Sequence, residues 1–370
     1  MGRASRGKKD AREAGRTRDH TVPQMYLRNF AEHRGRRNYE LVARRIADVD
    51  ETFPVAPNNI LLERGFYWGT TSDGIPHHLA EELLTTLETA AAPVMKAVLD
   101  APEGALPAQW PLSSRERIIM AWWMAAQILR TKRQRKRLEH VSSGDRLEVP
   151  HELSLFVANN PHVAYIAENL SPLACILYRR PWGLAFTDMC LLTSDVPVVL
   201  FNGHDADDQL AAADVYNIML PLDPHRLLFM PNSTLQADDP NKRVDHRMKI
   251  SGAVGIALVQ VAYDVADALV IHHPRHDPWH HWKPSGPRQP TPWDGKDHPA
   301  PMYALEYPTL PPHLTVERRW LTEHPPPSAT TGSRPATTGA PASTAAALAE
   351  PSGTATSDAT TETSSRLPRP

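Results

Sequence analysis

Residues 113–140, SSRERIIMAWWMAAQILRTKRQRKRLEH, constrain the fold more than any other stretch of the chain. Serines followed by Glu116 supply a helix N-cap, and the basic end suits the negative pole of a helix dipole. One long helix is therefore expected here. Trp123, Gln127 and Arg130 fall at i, i+4 and i+7 and share one face. Ile119, Ala126 and Leu129 flank them. A glutamine and an arginine in such an apolar stretch are at least partly buried, and buried polar groups need partners. By residue type the candidates are His20, Glu88 and Asp195.

The apolar residues available for a core are unevenly spread. From Glu323 to Pro370 the chain is Pro, Ser, Thr and Ala with almost no large apolar side chain. Such a segment cannot offset the entropy of ordering, so 323–370 is expected to be a disordered tail. Residues 1–18 read as a disordered basic arm without the apolar core of a secretory signal. The expected folded unit is a single domain over 19–273, followed by a Pro/His/Trp-rich extension over 274–322. Within 19–273, Pro23 should start a short helix through Phe30, and RNYELVARR alternates like a strand. A second amphipathic helix covers PHHLAEELLTTLETAAAPVMKAVLD, with Pro93 expected to end or kink it. One or two helices over 151–180 should be interrupted near Pro161 and Pro172. The later runs WGLAF, CLLTSD, PVVL, NIMLPL and RLLFM read as strands of one small sheet. ISGAVGIALVQVAYDVADA is a further helix, and LVIHH a last strand. The expected class is α+β, with a mainly helical N-terminal two-thirds packed on a small C-terminal sheet.

A net charge of −2 removes any global electrostatic case for nucleic acid or an anionic membrane. No apolar run reaches the roughly 18 residues of a membrane span, so no membrane partner is expected. Two cysteines, Cys175 and Cys190, suit a reducing compartment and argue against a disulfide scaffold or a CxxC zinc site. The bias to Arg over Lys, with abundant Ala and Pro, reads as GC-rich bacterial coding. The expected location is the cytoplasm.

The segments HTVPQMYLRNF, FYW, AAQILRTKRQR, LLTSDVPV and IMLPLDPHRLLF occur in an order that resembles domain-of-unknown-function family 4238. The resemblance spans about 20 to 272. It implies a His-x-Val-Pro-Gln-x-Tyr-Leu opening, a Gln-x-x-Arg helix and a Thr-Ser-Asp-x-Pro turn, and it implies no known reaction. Two positions depart from the pattern, with Val196 in the turn and Val259 or Gln260 in the last helix where asparagines are expected.

The same residues suggest chemistry directly. A guanidinium held against a carboxylate, with an imidazole and an amide nearby, suits a phosphate or carboxylate ligand or acid/base work. In the enzymatic reading, directed at phosphate esters, His20, Arg130 and Asp195 are catalytic, while Gln24, Glu88, Gln127 and Ser194 bind. The alternatives are non-catalytic recognition of an anionic small molecule or a nucleic-acid phosphate, and a partner-binding protein in which the set is structural. His20 then fastens a proline-started helix, and Ser194–Asp195 forms an ordinary turn. The tract His272 to His281 carries five imidazoles, but the interleaved prolines Pro274 and Pro278 work against fixed geometry, so its metal affinity is expected to be incidental. No residue is assigned as a metal ligand, and no cofactor or protein partner is indicated. Phosphate loops, the nucleophile elbow and HExxH are missing from the sequence.

Overall fold

The computed structural model describes residues 18–36, 38–70, 76–77, 79–102, 105, 107–142, 160–201, 217–231, 245–284, 286–287 and 324–327. The expected basic arm and Pro-rich tail lie outside these residues, apart from Arg18 and 324–327, as does 288–322 of the extension.

In chain order, strand β1 (Arg18–His20) leads into helix α1 (Gln24–Leu27), a 3-10 turn (Arg28–Phe30) and strands β2 (Glu32–His33), β3 (Tyr39–Arg45) and β4 (Asp48–Val55). Short strands β5 (Leu62–Arg64), β6 (Gly69–Thr70) and β7 (Pro76–His77) follow. Helices α2 (Leu79–Leu99), α3 (Ser114–Leu129), α4 (Lys132–Ser142) and α5 (Pro161–Arg179) come next. Strands β8 (Gly183–Phe186), β9 (Thr193–Ser194), β10 (Val199–Phe201), β11 (Asn217–Pro221), β12 (Arg226–Met230) and β13 (His246–Lys249) precede helix α6 (Gly252–Val265) and strand β14 (Leu269–His272).

The arrangement of strands corrects the expected one. The later strands do not form one small sheet under a helical N-terminal region. They divide between two five-stranded sheets. One has the order β10-β11-β12-β8-β13, with β13 parallel to β8 and the other pairs antiparallel. The other runs β2-β3-β14-β9, with β4 added on β3. Strand β14 registers Ile271 against Ala43 on one side and Thr193 on the other. It buries Val270 and Ile271 completely, so it needs neighbours on both edges and cover on both faces. The N-terminal hairpin β3–β4 supplies one of those neighbours. Strands are thus spread along the whole described chain.

The expected single helix over 113–140 is two. Ser113 and Glu116 form a complete capping box at the start of α3. The helix stops at Arg130, and the Thr131 hydroxyl accepts the Gln134 N–H at 3.2 Å to open α4. Helix α2 does not end at Pro93 but continues to Leu99, and α5 likewise passes Pro172. Helices α2, α3 and α5 enclose the larger core, in which Trp123 and Trp182 are fully buried. A second core lies under α6, around Leu258, Val259, Tyr263 and Val270. Among the described residues no helix is long and apolar enough to cross a membrane, and neither Cys175 nor Cys190 is in a disulfide.

Candidate functional site

The opening segment is bound twice by its backbone before any side-chain chemistry enters. Strand β1 pairs with β5, setting His20 opposite Leu62. Thr21 continues the register, donating both its N–H (2.9 Å) and its hydroxyl (3.2 Å) to the Leu61 carbonyl. Pro23 then caps α1, whose Tyr26, Leu27 and the following Phe30 are wholly buried. Tyr26 packs 5.8 Å from the Trp123 ring of α3. Its hydroxyl donates to the Pro221 carbonyl at 2.7 Å and lies 2.8 Å from Thr193 Oγ1.

Arg130 stands behind this segment at the break between α3 and α4. It is 1% exposed. Its Nε donates to the Tyr67 hydroxyl at 2.8 Å, Nη1 to Glu88, and Nη2 to the backbone carbonyl of His20. A guanidinium has five N–H donors in a rigid fork, and here all three nitrogens are engaged by protein. Burial pulls its pKa down, but Tyr67 and Glu88 outweigh burial, so the net direction is up and the charge is kept. Burial pushes the Tyr67 phenol to about 12. Asp19 is buried alongside and accepts the Tyr67 N–H at 3.2 Å. Glu81 completes the surroundings: burial raises its pKa, with Asp19 and Glu88 adding to the rise against Arg130. Three carboxylates around one guanidinium leave no net positive charge for an anion at this point.

The His20 imidazole points elsewhere. It is half-buried, and its Nε2 lies 2.8 Å from the Gln24 amide nitrogen. An amide N–H can only donate, so the ring nitrogen accepts and the ring is neutral. Burial lowers its pKa, partly offset by Glu88 and reinforced by Arg130. Of the residues singled out from sequence, the fold therefore brings together His20, Gln24, Glu88 and Arg130. It does not bring in the other three. Asp195 accepts backbone N–H groups from Asp267 (2.9 Å), Ala268 (2.7 Å) and Leu269 (3.2 Å), which fixes the turn between α6 and β14. Burial pushes its carboxyl up to about 6. Ser194 closes a local turn on Val196 through both its donor and its acceptor. Gln127 is buried and donates back along α3 to the Trp123 carbonyl at 3.4 Å.

Gln24 has a second role. It lines a groove of about 500 Å³ together with Arg28, Arg34, Asn38, Tyr39 and Asn58. Arg34 is neutralised by Glu32 at 2.8 Å and Glu40 at 2.9 Å. Arg28 is exposed, stands 5.5 Å from the centre of the Tyr39 ring, and has no carboxylate within ion-pair distance among the described residues. Sequence reasoning missed Arg28, Tyr39, Tyr67 and Asp19. Arg28 carried a signal, since it lies one helical turn beyond Gln24 on a short capped helix. Tyr67 carried none. One trio among the described residues has metal-ligand spacing, Cys190, His225 and His276. It uses one histidine of the His-rich tract and two residues not singled out as ligands.

Residues 18–163 match the family described as Protein of unknown function (DUF4238). The match supports the family resemblance read from the opening motif. It ends before the TSDVP and IMLPL segments, which stand outside it. No curated protein and no solved structure matches the chain.

Proposed function

We propose that this chain is a bacterial cytoplasmic protein that binds a small anionic metabolite, a phosphate or carboxylate compound, in the groove beside α1, without chemistry at Arg130 or Asp195. The observation that carries this reading is the exposed Arg28 on the wall of a polar groove whose other arginine is already paired. The groove volume falls within the ~300–1,000 Å³ of ordinary ligand sites. Arg28 supplies the charge and a fork matched to carboxylate or phosphate oxygens. The amides of Gln24, Asn38 and Asn58 can each donate and accept, which suits the polar body of a metabolite. Arg130 lies outside the groove with its nitrogens spent, and Asp195 is committed to a turn, so the catalytic assignment of these two is set aside. The arginine-rich coding bias and two cysteines outside any disulfide support the proposed origin and compartment.

The test is calorimetric titration of the full chain with inorganic phosphate, adenosine monophosphate and citrate. At least one probe should bind, and Arg28→Ala should weaken that binding by about tenfold or more, the value of one charge-assisted pair. Thermal stability should change by no more than about 0.5 kcal/mol, as for an ordinary surface substitution. Binding unchanged in Arg28→Ala, or no binding of any anionic probe, would overturn the reading.

A further inference from the structure

We propose a zinc site formed by Cys190, His225 and His276. The three come from segments far apart in sequence, and the fold clamps them together through the backbone. Thr187 donates its N–H to the His225 carbonyl at 3.0 Å, and Leu191 donates to the Pro224 carbonyl at 2.7 Å. These two bonds set the stretch carrying Cys190 against the turn before β12. Asp223 holds that turn by accepting the N–H groups of His225 (2.9 Å) and Arg226 (2.7 Å). His276 arrives from the loop after β14, where it bridges back to His273 with its N–H on the His273 carbonyl at 3.0 Å.

His225 Nε2 and His276 Nδ1 lie 3.0 Å apart, and Cys190 Sγ lies 3.9 Å from His276 Nδ1. All three ligand atoms are within 4.8 Å of one another, and all three residues are half-buried. Zinc bonds of ~2.0–2.1 Å to nitrogen and ~2.3 Å to sulfur place tetrahedral ligand atoms roughly 3.3–3.7 Å apart. The observed separations meet that with movements of a few tenths of an ångström to about one ångström. His225 is also oriented as a ligand should be. Its Nδ1 lies 3.2 Å from the Thr187 carbonyl, an acceptor only, so Nδ1 carries the proton and Nε2 presents its lone pair. This is the outer-sphere bond that fixes tautomer and ring orientation in metal-binding histidines. One thiolate and two imidazoles select a borderline-soft divalent ion over calcium or magnesium. Binding releases the Cys190 thiol proton to solvent. The proton that His276 Nδ1 shares with His225 in the metal-free form moves to His276 Nε2, leaving both imidazoles neutral. Three protein ligands leave a fourth position for water or another donor. The bound ion would staple the loop after β14 to the turn before β12, and none of its three ligands lines the groove beside α1.

The full chain, stripped with a chelator and dialysed against zinc, should retain about one equivalent by elemental analysis. Cobalt in its place should give a thiolate-to-metal charge-transfer band. Cys190→Ser should abolish that band, and His225→Ala and His276→Ala should each weaken zinc binding by at least ~10-fold. The double variant His280→Ala/His281→Ala, which removes exposed imidazoles of the same tract, should bind as the parent does. Absence of the cobalt band in the folded parent protein overturns the proposal and leaves the two rings as a plain hydrogen-bonded pair. So does zinc that survives Cys190→Ser and His225→Ala but is lost with His280 and His281, which marks incidental affinity. The parent measurement decides even if a ligand variant fails to fold.

Discussion

At the scale of single residues, the fold uses charged groups chiefly to hold backbone. Arg130 grips the carbonyl of His20, and Asp195 gathers three N–H groups of a turn. The need for a partner at Arg130 was legible, because a charge inside an apolar helix must be compensated. The partner itself was not, because a backbone carbonyl leaves no mark in residue type. His162 shows the same habit and yields a pH prediction. It is buried in α5, with Nε2 donating to the Leu129 carbonyl at 2.9 Å and Nδ1 accepting from Arg135 Nε at 3.3 Å. Burial, aided by Arg135, pushes its pKa down to about 3. Both nitrogens are spoken for only in the neutral ring. The unfolded chain takes up a proton near pH 6.5 and the folded chain does not. This stability is therefore complete above about pH 6.5 and is lost as pH falls toward 3, at up to about 1.4 kcal/mol per unit. Asp195, raised to about 6, acts with the opposite sign between its ordinary value and 6. The difference between wild type and His162→Gln in urea midpoint across pH 4–7 isolates the histidine. A difference that stays constant with pH would remove this account of His162.

At the scale of elements, short helices and turns join parts of the chain that sequence separates widely. Helix α1 has only four residues, too few to stand alone. It is held because Tyr26 reaches strand β11 at Pro221 and strand β9 at Thr193. Tyr26→Phe keeps the ring packing but orphans the buried Pro221 carbonyl, and should cost about 1–2 kcal/mol. Urea denaturation measures this, and a loss under about 0.3 kcal/mol would show that the hydroxyl is not a tether. The break between α3 and α4 could have been read in advance. Thr131 followed three residues later by Gln134 is a capping-box spacing inside the helical pattern, and the Thr131 hydroxyl does accept the Gln134 N–H. The helix-forming basic run from Lys132 to Arg137, which suits a helix C-terminus, masked it. The proline positions misled in the other direction. Pro93 and Pro172 lie inside helices, where packing within the larger core outweighs the local penalty.

At the scale of the whole molecule, strand runs were legible and sheet membership was not. Each run from Gly183 onward shows its apolar pattern locally. Nothing local tells that Ile271 pairs with Ala43, a partner more than two hundred residues earlier in the chain. Register between distant strands is set by which faces remain to be covered once helices and sheets meet. The groove has the opposite character, since its lining residues lie between Gln24 and Asn58. Its shape depends on where α1 is held, and α1 is held from behind by Arg130. The account rests on that grip being made to the carbonyl of His20 and not to its imidazole. Equilibrium urea unfolding of Arg130→Met and His20→Ala tests it most directly. Removing the guanidinium leaves Glu88 without its cation and leaves the carbonyl only the longer 3.4 Å bond from the Tyr67 hydroxyl, and should cost about 3 kcal/mol, the lower end for breaking a buried pair whose acid is partly solvated. His20→Ala keeps the carbonyl and should cost no more than about 1 kcal/mol, the value of one side-chain hydrogen bond. The reverse order, with Arg130→Met near neutral and His20→Ala strongly destabilising, would contradict the account.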